Sequence, residues 1–115
     1  MEDYKLNGRI WLTLNDEMVL GEGKICLLNH IRELGSLRQA AEAMQMSYRK
    51  AWYSVKQINE AAKEPVVILK RGGTDGGHAQ ITGYGKKLIQ KFSQQKEDFK
   101  QFLEEQNSSN ASFPE

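Results

Sequence analysis

The sequence predicts a mainly α fold with a small β component, and three observations lead to it. Gly35 to Ile58, GSLRQAAEAMQMSYRKAWYSVKQI, reads as two short helices joined by a tight turn. The segment KRGGTDGGHAQIT places four glycines within six residues between strand-like flanks, which fits a hairpin whose tip bends sharply and approaches another surface closely. TGYGKKLIQKFSQQKEDFKQFLEEQ contains no proline and is rich in good helix formers, so one long helix is expected from Thr82, or just after it, to about Gln106.

The elements follow in chain order. Ile10, Leu12 and Leu14 alternate with Trp11 and Thr13, which suits a strand with one buried face, ended by the polar Asn15-Asp16-Glu17. From Glu22 to Leu34 the pattern turns helical, with Leu27, Leu28, Ile31 and Leu34 on one stripe. Gly35 supplies the left-handed residue that closes this helix, Ser36 caps the next, and Gln39 completes a capping box. Leu37, Ala40, Ala41 and Met44 form its inner face, the alanine pair allowing close helix crossing. Ser47 caps a third helix, on which Tyr48, Trp52, Val55, Ile58 and Ala62 share a packing face. Glu64-Pro65 stops it, because proline disfavours the helical conformation of the residue before it. Val66 to Leu69 is apolar and suits a strand.

In the last helix, Leu88, Phe92, Phe99 and Phe102 fall on alternating d and a positions of a heptad, with polar Gln95 at the intervening d site. That spacing marks a seam, and a second copy of the chain is the simplest cover for its outer half. Residues 1–106 are therefore expected to form one domain, and 107–115, NSSNASFPE without regular pattern, a disordered tail. The order strand, helix, helix, helix, strand, strand, long helix is that of a winged helix-turn-helix with a long C-terminal dimerisation helix.

Charge distribution carries more information than net charge. The formal total is +1 over 115 residues, yet from Arg32 to Lys91 there are 11 Lys/Arg against 5 Asp/Glu, whereas both ends are acidic. Cys26 is the single cysteine, which leaves no intrachain disulfide and points to a reducing compartment. The N-terminus has no signal-peptide pattern, and no run approaches the ~18 apolar residues of a membrane span. A cytoplasmic protein is expected.

The basic middle coincides with the two-helix segment. The third helix, about 47–62, presents Arg49, Lys50, Tyr53, Lys56 and Gln57 opposite its packing face. A recognition helix meets base edges with its N-terminal residues, where Arg or Lys donates to guanine and the helix-end amides face phosphate. A solvated basic face is the plainer alternative. Arg71, Thr74, Gly76, Gly77 and His78 are the expected contributions of a wing at about 71–79, with Arg71 placed to meet phosphate or enter the minor groove. An ordinary surface hairpin is the alternative there. No GxxxxGK[ST] loop is present. Cys26 and His30 lie four residues apart, but two ligands do not make a metal site, and a buried cysteine beside an interfacial histidine explains the pair. No catalytic constellation, metal site or cofactor site is expected.

The segments RIWLTL, GKICLLNHIRELGSLRQAAEAMQMSYRKAW and RGGTDGGHAQITGYGKKLI resemble the N-terminal DNA-binding domain of ModE-type molybdate-responsive regulators, a winged-helix domain also similar to that of LysR-type regulators. The resemblance implies that Ser47, Tyr48, Arg49 and Lys50 begin the recognition helix, that Ser36, Leu37, Arg38 and Gln39 belong to the helix before it, and that Gly72 to His78 form the wing. It also implies dimerisation through the first and last helices, which places Leu28, Ile31, Phe92 and Phe99 near the interface. Full regulators of this family carry molybdate-binding domains after the long helix, whereas this sequence ends at Glu115.

The function expected is that of a homodimeric, sequence-specific DNA-binding transcriptional regulator reading a palindromic operator in double-stranded DNA. Arg49 and Lys50 would contact bases or leading-edge phosphates, Tyr53 and Ser36 phosphates, and Arg71 the wing-side backbone. The alternatives are a protein-interaction module built on the same scaffold, a regulator whose sensor is a separate polypeptide, and a small-molecule sensor with a pocket at the dimer interface. The effector, the operator and the sign of regulation are not legible in the chain.

Overall fold

The computed structural model describes residues 3–71, 77–108 and 113–114. Its elements are β1 (Leu12–Leu14), β2 (Glu17–Leu20), α1 (Glu22–Leu34), α2 (Leu37–Ala43), α3 (Tyr48–Ala61), β3 (Val67–Lys70), β4 (His78–Ile81) and α4 (Gly83–Gln106). Mostly helical with two small antiparallel hairpins, this order is compatible with a winged helix-turn-helix.

The first hairpin corrects the expectation of a single N-terminal strand. Asn15 and Asp16 both take positive φ, 52° and 67°, the requirement of a two-residue type I′ turn, which Asn and Asp tolerate. Asn15 and Asp16 thus end β1 as expected but also reverse the chain, and from Glu17 β2 returns antiparallel to β1. The core residues come from β2: Val19 and Leu20 are buried, while Ile10 and Leu12 are half-buried and Leu14 is exposed.

α1 ends as expected at Gly35, whose φ of 67° is the left-handed closing residue. Ile25, Leu27, Leu28 and Ile31 form its buried stripe, and Leu34 lies exposed. The small Ala40 and Ala41 of α2 are buried where α1, α2 and α3 meet. On α3 the buried stripe is Ala51, Val55 and Ile58. Tyr48 and Trp52, expected on the packing face, lie exposed, because alanine at 51 rotates the stripe by about one position from where the large residues alone would set it.

Two tethers place the second hairpin. The Asn59 side chain on α3 accepts from the Val66 and Val67 N–H groups and donates to the Val67 carbonyl, and the Ala79 N–H of β4 donates to the Gly35 carbonyl at 3.0 Å. Thr82 then caps α4 by accepting from the Gly85 N–H at 2.9 Å and donates its hydroxyl to the Pro65 carbonyl. A Cβ on Gly85 would stand 2.6 Å from the Val66 carbonyl, so the helix start lies directly against the strand backbone.

α4 has an inner and an outer half. Ile89 and Phe92 enter the shared core, whereas beyond Phe92 no residue of the helix is buried. At 24 residues it is about 36 Å long, and it helps extend the chain to 62 × 30 × 21 Å. The segment before β1 runs along this outer half, since Asn107 bonds both the N–H and the carbonyl of Leu6 and Gly8 lies against the Phe99 ring; Lys96 also pairs with Glu22 at the start of α1, at 3.0 Å. No helix among the described residues is long and apolar enough to cross a membrane.

Candidate nucleic-acid interface

Side-chain caps fix both helices of the central pair. Ser36 Oγ accepts from the Gln39 N–H at 3.2 Å and Ser47 Oγ from the Lys50 N–H at 3.1 Å, each satisfying one of the unpaired amides of a helix start. The return bond from the Gln39 side chain that would complete the capping box is not formed. Between the helices, Gln45 adopts φ 54° and the Met46 N–H donates to the Ala41 carbonyl. The turn is therefore closed by backbone bonds, and it aims the first turn of α3 outward.

Tyr48, Arg49 and Lys50 in that first turn are exposed, as are Trp52 and Tyr53 in the second. At 48%, 38% and 47% exposure, Tyr48, Trp52 and Tyr53 form an aromatic surface that the core does not use. The Arg49 guanidinium stands 5.9 Å from the Tyr53 ring centre and the Lys56 ammonium 5.5 Å from that of Trp52, while the two rings meet edge to face at 5.3 Å and 83°. Such i,i+4 cation–ring pairs at exposed positions contribute about 0.5–1 kcal/mol each. They hold the cations over the helix face, where Lys56 also pairs with Glu60 at 4.0 Å.

A groove of about 420 Å³ lies between the start of α2, the outer face of α3 and the second hairpin. Ser36 and Arg38, Tyr48, Arg49 and Tyr53, and Arg71, Gly77 and His78 all line it, so residues expected from both helices of the pair and from the wing come together in one place. Gln39, Ser47 and Lys50 do not: the Ser47 hydroxyl is engaged in its cap, and Lys50 is exposed outside the groove. Thr74 and Gly76, and with them the tip of the expected wing, lie outside the described residues. Leu37, Trp52, Leu69 and Lys70 also line the groove and were not among the expected contacts. Spacing held a signal for Trp52, since Lys56 lies four residues beyond it just as Tyr53 lies four beyond Arg49.

The groove is electrostatically one-sided. Arg38, Arg49, Lys70 and Arg71 line it, and no carboxylate does among the described residues. None of the four takes part in either ion pair found among those residues. Cations gathered over a concave surface attract a polyanion, and the exposed rings beside them supply apolar area for stacking or for contact with base methyls.

The residues expected at a dimer seam divide. Leu28, Ile31 and Phe92 are at most 1% exposed within the chain's own core, so in this conformation they offer no surface to a second copy. Leu88 is half-buried. Phe99 is half-buried beneath Gly8, and its ring stacks at 6.3 Å on Phe102, which is 47% exposed. Cys26, expected to be buried, is exposed, and His30 is half-buried. No cluster of three metal-binding side chains occurs among the described residues.

No protein-family profile matches the chain. Individual relatives do. It is 37% identical over 70 residues to the molybdenum transport protein ModE of Azotobacter vinelandii, covering 61% of this chain and 26% of that protein. It is 35% identical over 79 residues to the DNA-binding transcriptional dual regulator ModE of Escherichia coli K12, covering 69% and 30%. To the molybdenum-pterin-binding protein MopB of Rhodobacter capsulatus it is 39% identical over 70 residues, covering 61% and 26%. The matched segment thus spans between a quarter and a third of these relatives' length.

Proposed function

We infer that this chain, which belongs with the ModE-type molybdate-responsive regulators, is a sequence-specific DNA-binding transcriptional regulator acting as a homodimer. The observation that carries the reading is the groove in which Arg38, Arg49, Lys70 and Arg71 converge with no opposing carboxylate among the described residues. α3 enters the major groove by its first two turns, with Arg49 donating to a base edge or leading-edge phosphate, Tyr53 and Ser36 contacting phosphate, and Lys50 meeting the backbone beside them. The β3–β4 hairpin lies alongside as the wing, with Lys70 and Arg71 on the flanking backbone. Phe99 and Phe102 on outer α4, with Leu88 at its inner edge, are the residues we assign to contact with a second copy. Two reading heads on a two-fold axis then address half-sites about 34 Å apart, or a multiple of that.

Arg49→Ala provides the test, measured on a duplex selected by the parent protein. If Arg49 reads a base, affinity falls by about 1–3 kcal/mol and one operator position loses its preference. If it holds a phosphate, all sequences weaken alike and the salt slope drops by about one unit. Binding as tight, as selective and as salt-dependent as the parent's removes Arg49 from the site. Should a joint Arg49→Ala, Lys50→Ala change leave regulation intact while Phe102→Ala abolishes it, the molecule acts as a protein-interaction scaffold instead.

A further inference from the structure

Lys70 and Arg71 reach the groove only if β3 leaves the helical body at the right angle, and one side chain holds that strand at its base. Asn59, near the end of α3, accepts the Val66 N–H at 2.8 Å and the Val67 N–H at 3.1 Å on a single oxygen, and donates to the Val67 carbonyl at 2.9 Å. Two N–H groups pointing at one atom fix which end of the amide is oxygen, so the arrangement is chemically unambiguous. Val66 and Val67 are buried, so these groups cannot turn to water without moving the strand. We propose that Asn59 is a positioning residue for DNA reading: it locks the wing to the recognition helix and thereby sets where Lys70 and Arg71 meet the backbone.

The geometry favours this role over simple adhesion. Asn59 lies ten residues beyond Arg49, about 15 Å along the helix, so it stands well clear of the reading end and of the groove lining. From Val67 to Arg71 the strand extends about 13 Å. A 10° tilt at its base would therefore move Arg71 by about 2 Å, enough to separate a cation from a phosphate. β4 has its own tie, the bond from Ala79 N–H to the Gly35 carbonyl. With Asn59 removed the hairpin keeps that tie and the Thr82 bonds to the Pro65 and Val66 carbonyls, but β3 loses its side-chain bonds to α3, the helix that carries Arg49.

This inference rests on the DNA-reading function proposed above. The experiment compares parent, Asn59→Ala and Asn59→Asp for thermal melting, for affinity as a function of salt, and for the sequences each enriches from random duplex DNA. Asn59→Ala is expected to lower the salt slope by about one to two units, the share of the two wing cations, and to flatten preference at flanking positions while the core positions read by α3 keep theirs. Asn59→Asp keeps the acceptor for both N–H groups but loses the donor to Val67, and an intermediate slope is expected. Loss of stability alone would scale affinity by the folded fraction and leave slope and enriched sequence unchanged. That pattern in a folded Asn59→Ala protein overturns the proposal. If Asn59→Ala does not fold, an Asn59→Asp protein with the parent's slope and flanking preference overturns it. A parent protein that binds no duplex sinks both the function and this inference, whereas a selective parent matched by its variants sinks this inference alone.

Discussion

The two ends of this molecule use exposed aromatic residues in different settings. At the groove, Tyr48, Trp52 and Tyr53 stand among cations: Arg49 lies over one ring, Lys56 over another, and Arg38, Lys70 and Arg71 complete the rim. Along outer α4, Phe99 and Phe102 stack on each other beside a peptide backbone, with Gly8 against one ring face and Asn107 clasping Leu6. Rings bordered by cations present a surface suited to a flat, negatively charged partner. Rings bordered by peptide backbone and by charges of both signs, Lys96, Glu97, Lys100 and Glu104 among them, are suited to more protein. Inner α4 differs from both, because Phe92 is fully enclosed.

Substitutions along α4 test this division most strongly. Phe92→Ala should destabilise the fold by about 3–5 kcal/mol, the usual cost of emptying an enclosed aromatic site, as read by denaturant melting. A loss below about 1 kcal/mol would mean that the inner half of the helix is not part of the core. Gly77→Ala comes next. At φ 105°, and with a Cβ destined to stand 2.5 Å from the Lys70 carbonyl, alanine strains the loop end of the hairpin by about 1–3 kcal/mol. DNA affinity should fall while the circular dichroism of the helices stays unchanged. Phe102→Ser should have the smallest effect on the folded chain, within about 0.5 kcal/mol, yet it should shift sedimentation toward the monomer. An unchanged oligomeric state would leave Phe102 without the role assigned to it.

The readable parts of the sequence were those governed by local chemistry. Gly35, Ser36, Ser47 and Thr82 mark their helix ends because a cap is an interaction over three or four residues, and the structure has all four in those roles. Asn15-Asp16 ends the first strand as expected, but the return strand β2 is not announced, because the same two residues that stop a strand also fit a type I′ turn and only their positive φ distinguishes the two. Tyr48 and Trp52 were assigned inward because a stripe is located by its large residues, whereas Ala51 is the one enclosed. Heptad spacing singled out Phe92 and Phe102 together, since periodicity does not say whether an apolar face meets its own chain or another. The clasp between Leu6 and Asn107 joins residues 101 apart, and the Asn59 tether joins a helix to a strand. Neither has a local signature. For the groove, basic residues at a capped helix start point to Arg49 and the glycine-rich hairpin to Arg71, while Leu69 and Lys70 line it from β3 without a sequence signal of their own.

The central claim is that the groove between α3 and the second hairpin reads DNA sequence as one of a symmetric pair. Its most direct test is to let the purified protein select from random duplex DNA at near-physiological salt and to sequence the bound pool. The account predicts enrichment of a two-fold symmetric motif whose half-sites lie one helical turn, about 34 Å, or a multiple of it apart. A bound pool indistinguishable from the input would contradict it.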